Sequence, residues 1–254
     1  DGADVAGLAE TDAALSTAGT MTVSDVDTDN VVTASVYQLV LGGTSNTGDP
    51  AAPSIVTLFN MLNVSPAFPA AILDNTENSD TLNWAFNSGV EAFDYLADGE
   101  TLILNYTVRV TDSDGLTADS SVTITITGTN DNPTLTAGSI ITSEDALETG
   151  INVDAATSNL LNLATDIDDV NSSLVVGTVN GAAGSVDNPV SVTLSYTDAD
   201  GAPQTQAVNL TVNANGSYSI ASFDLDDLPL GNNATASFNY QAKDDSNALS
   251  TERT

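Results

Sequence analysis

The sequence predicts an all-β protein: two tandem Greek-key β-sandwich domains with very little helix. Three observations carry this. Apolar residues make up 41% of the 254 positions and are mostly Val, Ile, Leu and Ala, with only 5% aromatics, which is enough for packed cores. Short runs place β-branched residues at period two and end in Asp, Asn and Gly, whose side chains and backbone freedom suit turns. The third observation is that the chain states one plan twice.

The repeat runs in order. "LAETDAAL" at 8–15 returns as "TSEDALETG" at 142–150, and "TVSDVDTD" at 22–29 returns as "LATDIDDV" at 163–170. "FDYLADGETLILNYTVRVTDSDGLTADS" at 93–120 returns as "LDDLPLGNNATASFNYQAKDDSNALSTER" at 225–253. The halves therefore read as domains 1–131 and 132–254. In the first, helix signal is confined to 54–62 and a turn around 90–97. Its last two strands, "TLILNYTVRVT" and "SVTITITG", flank the turn "DSDG". In the second, "VSVTLSY", "DADG" and "QAVNLTV" predict a hairpin, because an Asp-Gly ending tolerates the backbone geometry a tight turn needs. "NANGSYSI" adds another turn and strand.

The halves differ in one respect. The first ends in "SVTITITG", whereas the text of the second stops at "SNALSTERT", where its final strand would begin. "PTLTAGS" at 133–139 has no counterpart in the first half. Two explanations stand: the chain is a window on a longer array, or a neighbouring chain supplies the missing edge strand.

Charge narrows the function. Three basic residues face 35 acidic ones, a net charge of -32, so nucleic acid and anionic membrane surfaces are repelled and cations attracted. Cys and His are absent, which removes disulfides, thiolate chemistry, the usual zinc, copper and haem sites, and histidine acid–base catalysis. No apolar run is long enough to span a bilayer, so no membrane insertion is expected.

The acids have a spatial logic. If the first strand of each half starts at an upper pole, the loop after "VSDVD" and the turn "DSDG" lie there, and the "LADGE" loop and the turn near Glu10 lie at the lower pole. "GTNDNPT" at 128–134 then becomes a seam where carboxylates converge. Glu10 with Asp98 or Glu100 comes from the first half, and Asp166, Asp168 and Asp244 come from the second. Asn130, Asp131 and Asn132 lie between. Such crowding is costly without a cation. Calcium accepts six to eight oxygen ligands in flexible geometry and suits this set better than magnesium. The proline after Asn132 keeps the linker extended. An EF-hand is excluded, since the twelfth position from Asp25 is Val36 rather than Glu.

These motifs resemble the VCBS and cadherin-like repeats of giant bacterial surface adhesins, including the RTX type. "VSDVDTD", "LADGE", "YTVRVTDSDG" and "SVTITITGTNDNP" carry the likeness, strongly in the first half and more weakly in the second. The resemblance implies an Ig/cadherin-like sandwich and calcium bound at linkers between consecutive domains. It makes Asn130, Asp131 and Asn132 linker ligands and pairs them with Asp166 and Asp168. Asp25, Asp27, Asp112 and Asp114 would serve a preceding domain. The second half departs from the pattern: "KDDSNA" replaces "VTDSDG", leaving Asp244 or Asp245 for one role, and Asn232 stands where the first half has Glu100.

The expected function is structural: calcium-rigidified extender repeats of an extracellular adhesin at a bacterial cell surface, with neighbouring repeats of the same or an adjacent chain as partners. One alternative is a self-assembling filament or biofilm-matrix subunit that exchanges strands. Another is a module binding glycans or surface proteins, for which the candidate platform is Trp84 with Phe86 and Tyr95, although Trp84 reads better as core. Enzymatic activity is not expected, because the acids cluster in turns with no sign of a cleft. Arg109 and Lys243, at matching positions after a Tyr, suggest a shared structural ion pair.

Overall fold

Among the described residues, eight strands and one helix build the first half: β1 (Asp4–Ala9), β2 (Ser16–Ser24), β3 (Val32–Gly43), α1 (Ile55–Phe59), β4 (Leu62–Ser65), β5 (Ala71–Leu73), β6 (Ser79–Asn87), β7 (Thr101–Thr111) and β8 (Thr117–Thr127), with β9 (Thr134–Leu135) opening the second half. The structure is a computed structural model that describes residues 3–156, 159–169 and 171–254; the Val that ends "LATDIDDV" lies outside them. The chain divides into two compact units, Asp1–Asn130 and Asp131–Thr254. Asp131 goes with the second because its N–H donates to Asp168 Oδ2 at 3.1 Å.

Unit 1 is a sandwich of two sheets, ordered β1-β8-β7-β3-β5 and β2-β6-β4. Pairing is antiparallel except at the edge, where β1 lies parallel to β8 from Asp4↔Val122 to Ala9↔Thr127. The period-two pattern works as expected. Leu102, Leu104, Tyr106 and Val108 of β7 and Val122, Ile124 and Ile126 of β8 face Leu82, Trp84 and Phe86 of β6 in one core. Trp84 is 4% exposed, and so is a core residue rather than a platform. Its indole N–H donates to Asp4 Oδ2 at 2.6 Å, tying the edge strand to the opposite sheet. Gly19 opposite it is obligatory, because a Cβ there would lie 2.5 Å from Trp84 Cζ2.

Short helical turns anchor the cores. Ser54 caps α1 by accepting from the Thr57 N–H, the usual service of an N-cap hydroxyl. The Tyr106 hydroxyl then donates to the Leu58 carbonyl at 2.6 Å. In unit 2 the matching Tyr240 donates to the Leu160 carbonyl at 3.1 Å, in a 3₁₀ turn at Leu160–Leu163 capped by Asn159.

Unit 2 continues with α2 (Glu144–Thr149), β10 (Ile151–Val153), β11 (Ala164–Thr165), β12 (Val175–Val179), β13 (Pro189–Thr197), β14 (Pro203–Val212), β15 (Tyr218–Ile220) and β16 (Tyr240–Lys243). Its sheets are β10-β15-β14-β13, β11-β9 and β12-β16. The expected hairpin is β13–β14, in register from Pro189↔Thr211 to Thr197↔Pro203. Helix α2 lies outside the stretches where helix was expected. Ser143 accepts from the Ala146 N–H, Glu144 and Asp145 occupy the first turn, and Gly150 follows at φ 81, so both ends are chemically marked. The anticipated shared ion pair is formed at one of the two positions. Arg109 grips Asp119 with two bonds of 2.7 and 2.8 Å and stacks 3.5 Å over Tyr37, whereas Lys243 donates to Asn247 Oδ1.

Candidate metal centres

Within unit 1, β1 and β8 end side by side, and the Glu10 N–H donates to the Thr127 carbonyl at 2.8 Å. β6 descends to the same pole, so the loop between β6 and β7 joins them there. Glu10, Asp12 and Asp94 meet at this pole, each offering an oxygen within 4.8 Å of the others. Glu10 is 1% exposed. Its Oε2 accepts from the Thr129 hydroxyl at 2.5 Å, while its Oε1 is buried without a hydrogen-bond partner among the described residues. Asp94 Oδ1 is in the same condition.

Asp94 reaches this place by a strained route. Phe93, before it, is fully buried in the core at φ 72, a left-handed conformation that bulky residues rarely adopt. The buried ring holds the backbone so that the next residue faces the pole. Asp98 is exposed, and the Glu100 carboxylate accepts from the Ala97 N–H at 3.3 Å, closing its own turn. Neither joins the group among the described residues; Asp12 and Asp94, which the sequence reading did not single out, stand beside Glu10 where it expected Asp98 or Glu100.

In unit 2 the strands β9, β11 and β16 bring Asp131, the loop at 166–169 and the turn at 244–247 to one pole. Asp166, Asp169 and Asp244 have oxygens within 4.8 Å of one another. Asp168 adjoins them and accepts from Asp131. Asp166 Oδ2, Asp168 Oδ1 and Asp169 Oδ2 are buried without hydrogen-bond partners among the described residues. Burial, together with a hydrogen bond to and the charge of Asp168, pushes the Asp166 carboxyl from 3.8 up to about 7. Burial, then the charge of Asp245, raises Asp169. Asp169 escaped the sequence reading because it has no acidic partner in the first-half pattern; the third carboxylate of "DIDD" was its signal.

The choice between Asp244 and Asp245 is decided by the turn. The Leu116 N–H bonds Asp112 Oδ1 at 2.8 Å, and the Ala248 N–H bonds Asp244 Oδ1 at 2.7 Å. Asp244 thus occupies the place of Asp112 and is 2% exposed, while Asp245 is exposed. Asn247, at φ 70, takes the place of Gly115. At the other pole of unit 1, Asp25 accepts from the Asp27 N–H, and Ser113 links the turn to Asn30. Asp25, Asp27, Asp112 and Asp114 do not converge into a group there, among the described residues. Asn130 and Asp131 are half-buried and Asn132 is exposed.

Carboxylate oxygens buried together without donors are a poor arrangement for a metal-free protein. They are hard oxygen ligands with no nitrogen or sulfur among them, the donor set that calcium takes. Both groups therefore fit a calcium ion.

No protein-family profile matches the chain, and no curated protein matches it. Among solved structures, all of this chain aligns with 33% of the protocadherin GammaB4 extracellular domain at 12% identity and a TM-score of 0.38. It aligns over 99% of its length with 95% of the periplasmic chaperone SfaE at 11% identity and 0.26. The Pseudomonas aeruginosa CupB2 chaperone gives 13% identity and 0.23, covering 96% of this chain and 92% of that one. The chain spans about a third of the protocadherin chain.

Proposed function

We propose that the chain is a pair of calcium-rigidified extender repeats of an extracellular, non-enzymatic surface adhesin. The observation that supports this most is the pairing of each carboxylate centre with the segment that joins the units. Thr129 is held by Glu10 in unit 1, and Asp131 is held by Asp168 in unit 2; the two segment residues are separated by Asn130 alone. A cation at each centre fixes the chain on both sides of that residue, so calcium stiffens the joint. Glu10, Asp12 and Asp94 would hold one ion. Asp166, Asp169 and Asp244, with Asp168 beside them, would hold another. Calcium supplies positive charge and a coordination sphere; the chain supplies preorganised oxygens on two sandwiches.

Among the described residues no helix is long and apolar enough to cross a membrane. The load-carrying role suits a chain whose two carboxylate groups lie at poles of its domains and whose aromatics make up only 5% of its residues.

Calorimetric titration tests the reading. Calcium should bind the wild-type chain and raise its melting temperature, with stabilisation following RT ln(1 + [L]/Kd), about 2.7 kcal/mol at a hundredfold excess over Kd. Asp94→Asn and Asp169→Asn should each remove binding at one centre and spare the other. Absence of heat and of any melting shift in the wild type would remove the proposal.

A further inference from the structure

Among the described residues, β1 is the one strand of unit 1 that buries no side chain fully. It lies at the edge of its sheet and pairs with β8. Ala6 and Leu8 are half-buried against the core, and Val5 is 72% exposed. A Cβ on Gly7 would meet no atom within 4 Å. One side chain ties the strand to the opposite sheet: Asp4 Oδ2, which accepts from the Trp84 indole. So little buried apolar surface gives the strand a weak hold of its own.

The carboxylate centre of unit 1 begins where β1 ends. Glu10 and Asp12 follow the strand directly, and Asp94 comes from the loop between β6 and β7. The two sides differ in how far they can yield. Asp94 follows Phe93, which is fully buried in the core. Residues 11–14 are exposed, and beyond them the Leu15 N–H donates to the Ser88 hydroxyl at 2.8 Å while the Ser88 N–H donates to the Leu15 carbonyl at 2.9 Å. The chain can therefore hinge at 11–14 without disturbing β2. Without a cation, three carboxylates repel one another at close range and Glu10 Oε1 is buried without a donor among the described residues. Movement of β1 and its turn relieves both costs, and it gives up the bond from the Glu10 N–H to the Thr127 carbonyl that ends the β1–β8 ladder.

We infer that β1 is a calcium-latched edge strand. An ion held by Glu10, Asp12 and Asp94 ties the end of β1 to the β6–β7 loop, whose position the core fixes, and so seats the strand on β8. When the ion leaves, β1 opens from the sheet while β2 to β8 stay folded. Opening of this local kind takes the elements with the fewest buried contacts first. The inference rests on the calcium reading of the unit 1 centre and does not involve the centre of unit 2.

The test follows amide hydrogen exchange of the full chain in calcium and in EGTA at equal ionic strength. Amides of β1 should exchange at least about tenfold more slowly in calcium, a difference of roughly 1.4 kcal/mol, while those of β7 stay protected in both. The fluorescence of Trp84, the only tryptophan, should change on adding EGTA as Asp4 leaves its indole. Asp94→Asn leaves β1 and its turn intact and should abolish the calcium response of β1; Asp169→Asn, at the other centre, should keep it. Equal β1 exchange in calcium and EGTA, from protein whose calorimetry shows binding that Asp94→Asn removes, would overturn the latch and leave the calcium reading standing. Loss of β7 protection in step with β1, or a calcium response that survives Asp94→Asn, would also overturn it. Absence of any calcium binding would remove both readings together.

Discussion

Glu10 shows how much a single side chain carries at these poles. A carboxylate that is 1% exposed, with one oxygen on Thr129 and the other without a donor, is a liability without a cation and a ligand with one. Glu10→Gln should therefore leave melting in EGTA unchanged or higher, and weaken calcium binding at its centre at least about tenfold. Melting curves with and without calcium read both effects. Asp166 gives a pH signature. Its carboxyl is raised from 3.8 to about 7, so the metal-free fold holds the protonated form more readily than the unfolded chain does. Its contribution is fully present below about pH 4 and is lost as pH rises through about 7. Denaturation in EGTA should show that decline, Asp166→Asn should flatten it, and calcium should oppose it by binding the ionised form. Asp112→Ala and Asp244→Ala separate turn from metal: each should cost about 1 kcal/mol in EGTA through its lost backbone bond, and Asp244→Ala alone should lose calcium affinity.

At the scale of elements, one turn recurs three times. Asp112, Asp198 and Asp244 each accept a backbone N–H four residues on, from Leu116, Ala202 and Ala248. The sequence announces the first two as "DSDG" and "DADG"; the third hides its turn because Asn247 takes the left-handed position without glycine. The tyrosine anchor recurs as well, on helical turns that differ in their place along the chain. Tyr106→Phe and Tyr240→Phe each strip a donor from a buried carbonyl and should cost about 1–3 kcal/mol by chemical denaturation. Strands and hairpins were legible because period two and turn chemistry are local. The carboxylate partners were legible only in part. Glu10, Asp166, Asp168 and Asp244 stand in repeated motifs, but Asp94 is delivered by the left-handed Phe93, and Asp12 by the turn that follows β1. Those placements depend on packing, which no repeat in the text encodes. Asp98 and Glu100 looked equivalent in the sequence, yet Glu100 spends its carboxylate on the Ala97 N–H.

At the scale of the molecule, two units with separate cores share one plan. Unit 1 closes its sandwich with β8 and β1; in unit 2 a cavity of about 670 Å³ is bordered by residues 234–238 and by Thr254. The duplication was visible in the text, because matching motifs fall in the same order. The cavity was not, since it arises from how residues 234–238 leave the sheet of β12–β16 to meet Ser195. The charge of -32 makes the metal-free chain self-repelling, and that repulsion is screened by salt. The central claim is that calcium stiffens the joint between the units, and small-angle scattering measures it most directly. Calcium should yield a narrower distance distribution with a larger, well-defined maximum dimension, and EGTA at equal ionic strength should broaden it. Identical scattering curves in calcium and EGTA, from protein shown by calorimetry to have bound the ion, would contradict the claim.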